Sequence, residues 1–259
     1  MKEEGFIVAI RFWIPTFVLA CMSAVPAEAQ EDSLVQVLTV AIEPGMNAQF
    51  EEVVRAYRDA SMQEGLENYW LSAQSISGAP VYRFHLERSS WGDLMNPEPD
   101  LNAVFGERET ERLMNLLNES VASEHVAIYS ELDASSHVPS MGFEDPPEGL
   151  IYIDFTLNPG TAPMFFEMTE AQKEASVAMY PDNYFGVSAP EFGATGPRTI
   201  LIVESMSDLD TPTMAPGPRL FEYFGEQEGA RLNDLAAQSI VSFESQLFRT
   251  RPVLNYQPE

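Results

Sequence analysis

The chain has 259 residues, of which 40 are acidic and 14 are basic, so its formal net charge is −26. A field of this sign repels nucleic-acid phosphates and anionic lipid surfaces, which argues against both as partners. Such a charge favours solubility, and an acidic surface that binds cations or a basic protein is the alternative. The hydrophobic fraction of 45% supplies a core for one large or two small globular domains.

The first 29 residues have the pattern of an export signal. An apolar run covers positions 12–25 and is shorter than a typical transmembrane helix requires. A small-x-small cleavage pattern ends at Ala29, so we expect a periplasmic or secreted protein with no membrane segment after cleavage. The single cysteine, Cys21, lies inside this signal, and lipoprotein processing there is the alternative. The mature chain then has no disulfide and no thiolate site.

Two parts of the sequence repeat each other about half a chain apart. Glu43–Ser61 (EPGMNAQFEEVVRAYRDAS) matches Asn158–Ser176 (NPGTAPMFFEMTEAQKEAS) at an offset of 115 residues. Further on, Phe105–Val121 (FGERETERLMNLLNESV) matches Phe224–Ile240 (FGEQEGARLNDLAAQSI). Matches that keep the same order along the chain predict an internal duplication.

In chain order, each repeat is predicted to form a strand, a helix, two strands, a second helix and a last strand. The first strand is β-branched, Pro-Gly turns the chain out of it, and the next helix has apolar residues at helical spacing. Thr161 is expected to be the N-cap of that helix in the second repeat. The predicted strands of the first repeat lie at 35–43, 68–75, 80–88 and 125–132. Those of the second repeat lie at 151–158, 183–189, 198–205 and 243–251.

The order β-α-β-β-α-β is that of the ferredoxin-like unit. Such a sheet carries helices on one face only, so two copies in one chain can bury their bare faces together. The predicted fold class is therefore α+β, with tandem ferredoxin-like repeats at residues 30–140 and 141–259 whose antiparallel sheets pack as an intramolecular α+β barrel.

This layout resembles a single-chain version of the dimeric α+β barrel superfamily. The Pro-Gly helix start, the Asn-Tyr pairs on the strands and the Trp91-Gly92-Asp93-Leu94 turn resemble antibiotic-biosynthesis-monooxygenase-like and NIPSNAP-like members. The superfamily includes cofactor-free oxygenases, heme enzymes and proteins with no known activity. The resemblance therefore implies a fold more than a function.

The third strand of the first repeat carries a candidate chemical cluster. Arg83, His85 and Glu87 alternate along it and so share one face. A guanidinium, a base and an acid in one row could bind a carboxylate and move a proton. The alignment places Ile200 and Ile202 at the matching positions of the second repeat, which predicts the cluster in one half only. The alternative is a solvated or mutually paired sheet face.

Asp154 interrupts the apolar first strand of the second repeat. A carboxylate among apolar neighbours can have a raised pKa and act as a base, and the alternative is an ion pair with Arg249 or Arg251 on the last strand. Tyr69 and Tyr184, near the starts of the second strands, could line a pocket for a flat organic ligand or simply pack in the core. The predicted catalytic residues are His85 and Asp154. The predicted ligand-binding residues are Arg83, Glu87, Tyr69, Tyr184 and Arg249.

Neither a metal nor a cofactor is expected. The three histidines, His85, His125 and His137, have no metal-binding spacing, and the mature chain has no cysteine. The alternative is that His85 or His125 is a lone axial heme ligand, as in the heme-binding branch of the superfamily. The chain is poor in the basic groups that would hold heme propionates.

Three functions fit these observations. The leading one is an exported barrel, monomeric or weakly dimeric, that binds a small acidic or partly aromatic organic molecule. The second is a cofactor-independent monooxygenase or isomerase that uses His85 or Asp154 as its base. The third is a non-catalytic stress or interaction protein whose pocket is closed by side chains.

Overall fold

A computed structural model describes residues 34–66, 69–95, 98–139, 146–210 and 216–257. The predicted export signal, with Cys21, lies outside the described residues. The strands are β1 (Leu34–Ile42), β2 (Trp70–Ser75), β3 (Val81–Arg88), β4 (Val121–Glu131), β5 (Gly149–Leu157), β6 (Phe185–Phe192), β7 (Arg198–Val203) and β8 (Ile240–Thr250). The helices are α1 (Asn47–Glu64), α2 (Leu101–Phe105), α3 (Glu107–Ser120), α4 (Ala162–Met179) and α5 (Pro216–Ser239).

The predicted α+β class, with an antiparallel sheet and helices, is confirmed by this element order. The last strand of each half starts earlier than predicted, at Val121 and at Ile240, because it follows the preceding helix without a loop. The helix before it is interrupted in both halves at a glycine with positive φ: Gly106 separates α2 from α3, and Gly225 is the non-helical residue inside α5.

The eight strands form one closed barrel in the order β1-β3-β2-β8-β5-β7-β6-β4. Every neighbouring pair is antiparallel. The first four strands are adjacent in the order β4-β1-β3-β2, and the last four have the corresponding order β8-β5-β7-β6. Two short ladders, β2 with β8 and β4 with β6, join these sets. Closure through these ladders leaves both sets without a free outer strand and creates an interior lined by all eight strands.

The strands are apolar on both faces because one face lines the barrel interior and the other lies under the helices. On the outer face, Val40, Tyr82 and Phe84 pack with Phe50 of α1. In the second half, Phe165 of α4 packs against Phe185 and Val187 of β6 in the same way. The alternate residues of the strands face inward, where two further apolar clusters form. The members of these inner clusters are Val35, Val37, Ala127 and Tyr129, and Ala73, Leu150, Tyr152 and Phe248.

The Pro-Gly turn before each long helix has the same backbone in both halves. Gly45 and Gly160 have φ values of +84° and +80°. Glycine adopts this left-handed conformation without the steric cost that other residues pay. Thr161 is the N-cap of α4 as predicted, but its hydroxyl makes no capping bond to the helix. It donates instead to the carbonyls of Asn158, at 2.8 Å, and Ser239, at 3.2 Å, and so ties the turn to the end of α5.

The end of the chain packs back onto the first half of the barrel. Tyr256 pairs with Trp70 of β2 by backbone bonds in both directions, and the Trp70 indole N–H donates to the Leu254 carbonyl at 2.8 Å. The Asn255 side chain accepts from both the backbone and the hydroxyl of Ser72. This tail joins the last strand to a surface more than 180 residues earlier in the chain.

None of the helices in the described ranges is long and apolar enough to cross a membrane.

Candidate anion site in the barrel interior

The barrel brings two arginines and one carboxylate together from three strands. Arg83 lies on the inward face of β3, Asp154 on that of β5 and Arg198 at the start of β7. Arg83 Nη2 is 3.3 Å from Asp154 Oδ2, and Arg198 Nε is 2.5 Å from Asp154 Oδ1. Asp154 therefore bridges the two guanidinium groups, one from each half of the barrel.

Arg198 is a site residue that the sequence analysis missed. Arg83 stands opposite Thr39 and Ala73 in its two ladders, and Arg198 stands opposite Asp154 and Ser188, each residue 115 positions further along. Arg198 is thus the counterpart of Arg83, and the expectation that an isoleucine matches Arg83 was wrong. By the same ladder pairing, isoleucines do match the other two residues of the row: Ile200 matches His85 and Ile202 matches Glu87. Alignment by identities, such as Glu87 with Glu204, requires an insertion before this strand, whereas the offset of 115 residues that matches the first helices relates the two arginines directly.

The site is asymmetric in its exposure and in its hydrogen bonding. The side chains of Arg83 and Arg198 are 10% and 7% exposed, whereas that of Asp154 is 33% exposed. Asp154 therefore lies on the solvent side, with the arginines behind it. Arg83 Nε, Arg83 Nη1 and Arg198 Nη1 are buried with no hydrogen-bond partner among the described residues. Buried polar groups are normally paired, so these three nitrogens are unsatisfied donors.

Aromatic rings cover the faces of both guanidinium groups. The Arg83 carbon Cζ lies 4.3 Å from the centre of the Tyr152 ring and 4.8 Å from that of Phe248. Arg198 Cζ lies 4.5 Å from the Tyr129 ring centre and 5.5 Å from that of Tyr152. These contacts stabilise the buried cations. Because N–H bonds lie in the plane of a guanidinium, rings over its faces leave its edges free to donate.

His85 and Tyr152 form a neutral pair beside the arginines. His85 Nε2 is 2.5 Å from the Tyr152 hydroxyl oxygen, and the rings stack with centres 5.3 Å apart. Burial first, and then the charges of Arg198 and Arg83, lower the pKa of His85 from 6.5 to about 3. Burial likewise raises the pKa of Tyr152 well above its usual value. At neutral pH both groups are therefore uncharged.

The remaining predicted ligand-binding residues do not join this cluster. Glu87 is exposed near the end of β3. The pKa of the Tyr69 phenol is raised mainly by burial and secondly by the negative charge of Glu87. Tyr184 lies before β6 with its ring 5.2 Å from that of His137. Arg249 is exposed on β8. The structure thus unites Arg83, His85 and Asp154 and leaves Glu87 and Arg249 exposed outside that group.

Asp154 does not pair with the arginines of the last strand. Its partners come from β3 and β7, and Arg251 instead binds Glu51 of α1 at 2.5 Å. The same carboxylate accepts from the Tyr82 hydroxyl at 2.7 Å. The proposed ion pair with Arg249 or Arg251 was therefore wrong. Phe248 packs inside the barrel, so its neighbour Arg249 faces outward, and Arg251 lies beyond the end of β8.

Two of the three histidines have a partner at the ring nitrogen Nε2, and His125, the other candidate heme ligand, is exposed on β4. The Nε2 atom of His85 is taken by Tyr152, and that of His137 lies 2.8 Å from the Pro181 carbonyl oxygen. The described residues contain no group of three or more histidine, aspartate or glutamate side chains arranged to hold a metal. The donor set of the interior, with two guanidinium groups, suits an anion instead.

A small cleft outside this site includes the Trp91 turn. It has a volume of about 250 Å³ and is lined by Leu34, Ser89, Ser90, Trp91, Ser130 and Glu191. The Ser130 hydroxyl donates to Glu191 at 2.8 Å, and Trp91 is 53% exposed. The cleft has no charged group besides this occupied carboxylate, and it shares no residue with the interior cluster.

The fold is that of several solved α+β barrels. A candidate monooxygenase from Lactobacillus acidophilus superposes with a TM-score of 0.55 at 6% identity over 88% of this chain and 97% of its own. An anthrone oxidase-like protein superposes with a TM-score of 0.51 at 13% identity over 86% and 92%. A chlorite dismutase variant from Candidatus Nitrospira defluvii does so with a TM-score of 0.52 at 10% identity over 85% and 92%.

These likenesses show that the chain has the α+β barrel fold, ferredoxin-like in architecture. At such low identity they establish the fold alone. No protein-family model matches the sequence, and no characterised protein matches it significantly.

Proposed function

We propose that this protein binds a small acidic organic molecule in the barrel interior, with Arg83 and Arg198 as its anion-binding groups. The observation that carries the proposal is the set of three unpartnered nitrogens on these two buried guanidinium groups. A buried donor without a partner costs about 1–3 kcal/mol, so leaving three in place requires compensation. A carboxylate ligand accepts charge-assisted hydrogen bonds from guanidinium edges in the geometry that these groups prefer.

Binding fits the interior better than general-base catalysis does. A base that works at neutral pH needs a pKa near 7, and the pKa of His85 lies near 3. Both oxygens of the other predicted base, Asp154, are engaged by arginines. The enzyme hypothesis would regain support if turnover of a carboxylate ligand depended on His85 or Asp154.

The barrel is also proposed to derive from two tandem ferredoxin-like units, at residues 30–140 and 141–259, as in the single-chain barrels that the sequence resembles. The corresponding strand orders and the ladder pairings offset by 115 residues support this origin. In this interpretation the two arginines descend from one residue. Expressed separately, each half would self-associate into a homodimeric barrel, which size-exclusion chromatography with light scattering would detect.

Export and a monomeric or weakly dimeric state complete the proposal. The signal-like first 29 residues support export, and a net charge of −26 disfavours tight self-association. Expression in a bacterial host followed by N-terminal sequencing tests the first point. A mature terminus at Gln30 is expected, and a lipid-modified Cys21 would replace this proposal with a membrane-anchored form.

The binding proposal is tested with the arginines themselves. Isothermal titration with short aliphatic and aromatic carboxylates is expected to find at least one ligand for the wild-type protein. Arg198→Lys keeps the positive charge but removes the guanidinium fork, and should weaken that binding at least tenfold. Arg112→Lys, at an exposed arginine of α3, is the matched control and should bind as the wild type does.

Two outcomes would overturn the proposal. One is the absence of any carboxylate binding to the wild-type protein, and the other is unchanged affinity in both Arg198→Lys and Arg83→Lys. Circular dichroism of each variant shows whether it is folded, so a loss of binding cannot be confused with a loss of structure.

A further inference from the structure

The charges of the interior cluster sum to a single positive charge. Arg83 and Arg198 are cations, and Asp154 is the anion between them. All three charges act on the pKa of Tyr152 and of Tyr129 beside it, after the larger effect of burial. The tyrosines and His85 add no charge at neutral pH. The cluster of Arg83, Arg198 and Asp154 therefore lacks one negative charge.

We propose that the interior site selects ligands with one negative charge over ligands with two, and that Asp154 is the residue that sets this selection. The inference rests on the proposed function, since it concerns the same site. A monoanion brings the cluster to neutrality. A dianion leaves one buried charge uncompensated, which is the costly arrangement for an ion removed from water.

The position of Asp154 strengthens the selection. Its side chain is 33% exposed in front of two nearly buried arginines, so an anion reaches the guanidinium edges past a carboxylate. The second charge of a dianion then lies several ångströms from Asp154 without a cation of its own. At about 6 Å and an effective dielectric constant of about 20, that repulsion corresponds to a difference in affinity of roughly 100-fold.

The substitution Asp154→Asn tests the effect of the Asp154 charge while the shape of the side chain is kept. The amide keeps the size of the side chain and one oxygen acceptor but removes the negative charge, so the cluster carries two positive charges. Glu244→Gln is the matched control. Glu244 is exposed and stands opposite Asp154 in the backbone register of the β5–β8 ladder, and its carboxylate makes no ion pair with Arg83 or Arg198. This variant also removes one negative charge from the region, so it measures how far the general negative field of the protein affects ligand affinity.

The experiment compares butanoate with succinate, which share a four-carbon skeleton and differ by one charge at pH 7.5. Isothermal titration of the wild-type protein is expected to show butanoate binding at least 10-fold more tightly than succinate. Asp154→Asn should raise the affinity for succinate by 10-fold or more and bring the ratio to one or below. Glu244→Gln should leave the wild-type ratio within twofold.

The outcomes distinguish the two proposals. If succinate binds the wild-type protein as tightly as butanoate, and Arg198→Lys weakens both, the charge selection is wrong and the anion site stands. An unchanged ratio in folded Asp154→Asn also refutes the role of Asp154. If neither anion binds and no other carboxylate does, both proposals fail. The wild-type ratio needs no variant, so the selection is tested even if Asp154→Asn does not fold.

Discussion

Lowering the pH should destabilise this protein through His85 in particular. In the unfolded chain a histidine takes up a proton as the pH falls through about 6.5. In the folded protein, burial and the two neighbouring arginines lower the pKa of His85 to about 3. The unfolded state therefore binds the extra proton between these values, and the stability present above pH 6.5 is lost as the pH falls toward 3.

The size of this loss follows from the two pKa values. Between the two pKa values, each decrease of one pH unit lowers the free energy of unfolding by about 1.4 kcal/mol. Lowering the pH from 7 to 5, which starts above the upper pKa value, therefore lowers the free energy of unfolding by about 2 kcal/mol. The 40 acidic residues add a pH dependence of their own, so the quantity to measure is a difference between variants. His85→Gln removes the titrating group and keeps a polar side chain that can bind the Tyr152 hydroxyl.

Urea denaturation at pH 7 and pH 5, followed by circular dichroism, provides the measurement. The free energy of unfolding of His85→Gln should fall by about 2 kcal/mol less than that of the wild-type protein over this range. His125→Gln, at an exposed histidine of β4, should keep the wild-type loss. Parallel losses in the wild type and in His85→Gln would refute the assignment of His85 as a neutral interior group.

Three further substitutions test the energetics of the barrel, each by urea denaturation at pH 7. Tyr152→Phe should cost about 1–2 kcal/mol because it removes the partner of the His85 ring nitrogen, and wild-type stability would contradict that bond. Asp154→Ala should lower the free energy of unfolding by about 3 kcal/mol, because two buried guanidinium groups lose their shared carboxylate. The control Asp182→Ala, at an exposed aspartate, should change it by no more than about 0.5 kcal/mol. Arg231 of α5 has a 46% exposed side chain that forms ion pairs with Glu228 and with Glu167 of α4. Arg231→Ala should lower the free energy of unfolding by no more than about 1 kcal/mol, and a loss above about 2 kcal/mol would contradict the solvent screening of these pairs.

The strands and helices were largely predictable because their signals are local. Alternation along 35–43 and helical spacing after Pro44 need only a few neighbouring residues to be recognised. The same alternation placed Arg83 and His85 on one face of β3. The early starts of β4 and β8 were missed because polar residues such as Ser123 and Ser242 do not read as strand.

The composition of the site was only partly predictable, for two reasons. Arg198 was missed because identities at neighbouring positions favoured an alignment with an insertion, whereas ladder pairing relates it directly to Arg83. The partners of Asp154 were missed because strands of different halves meet only when the barrel closes. Tyr69 and Tyr184 were grouped with the site because both begin a second strand, a likeness of position that says nothing about where each ring packs.

By itself the sequence determined the kinds of element, their order, the recurrence after 115 residues and the inward row that contains Arg83 and His85. These follow from periodicity and from backbone preferences, which act between residues close in the chain. Only the tertiary structure decided which charges meet. Asp154 could have paired with any arginine on a neighbouring strand, and the register of the closed barrel selected Arg83 and Arg198. That choice sets the net positive charge of the cluster, because electrostatic interactions depend on distances in space that the order of residues does not specify.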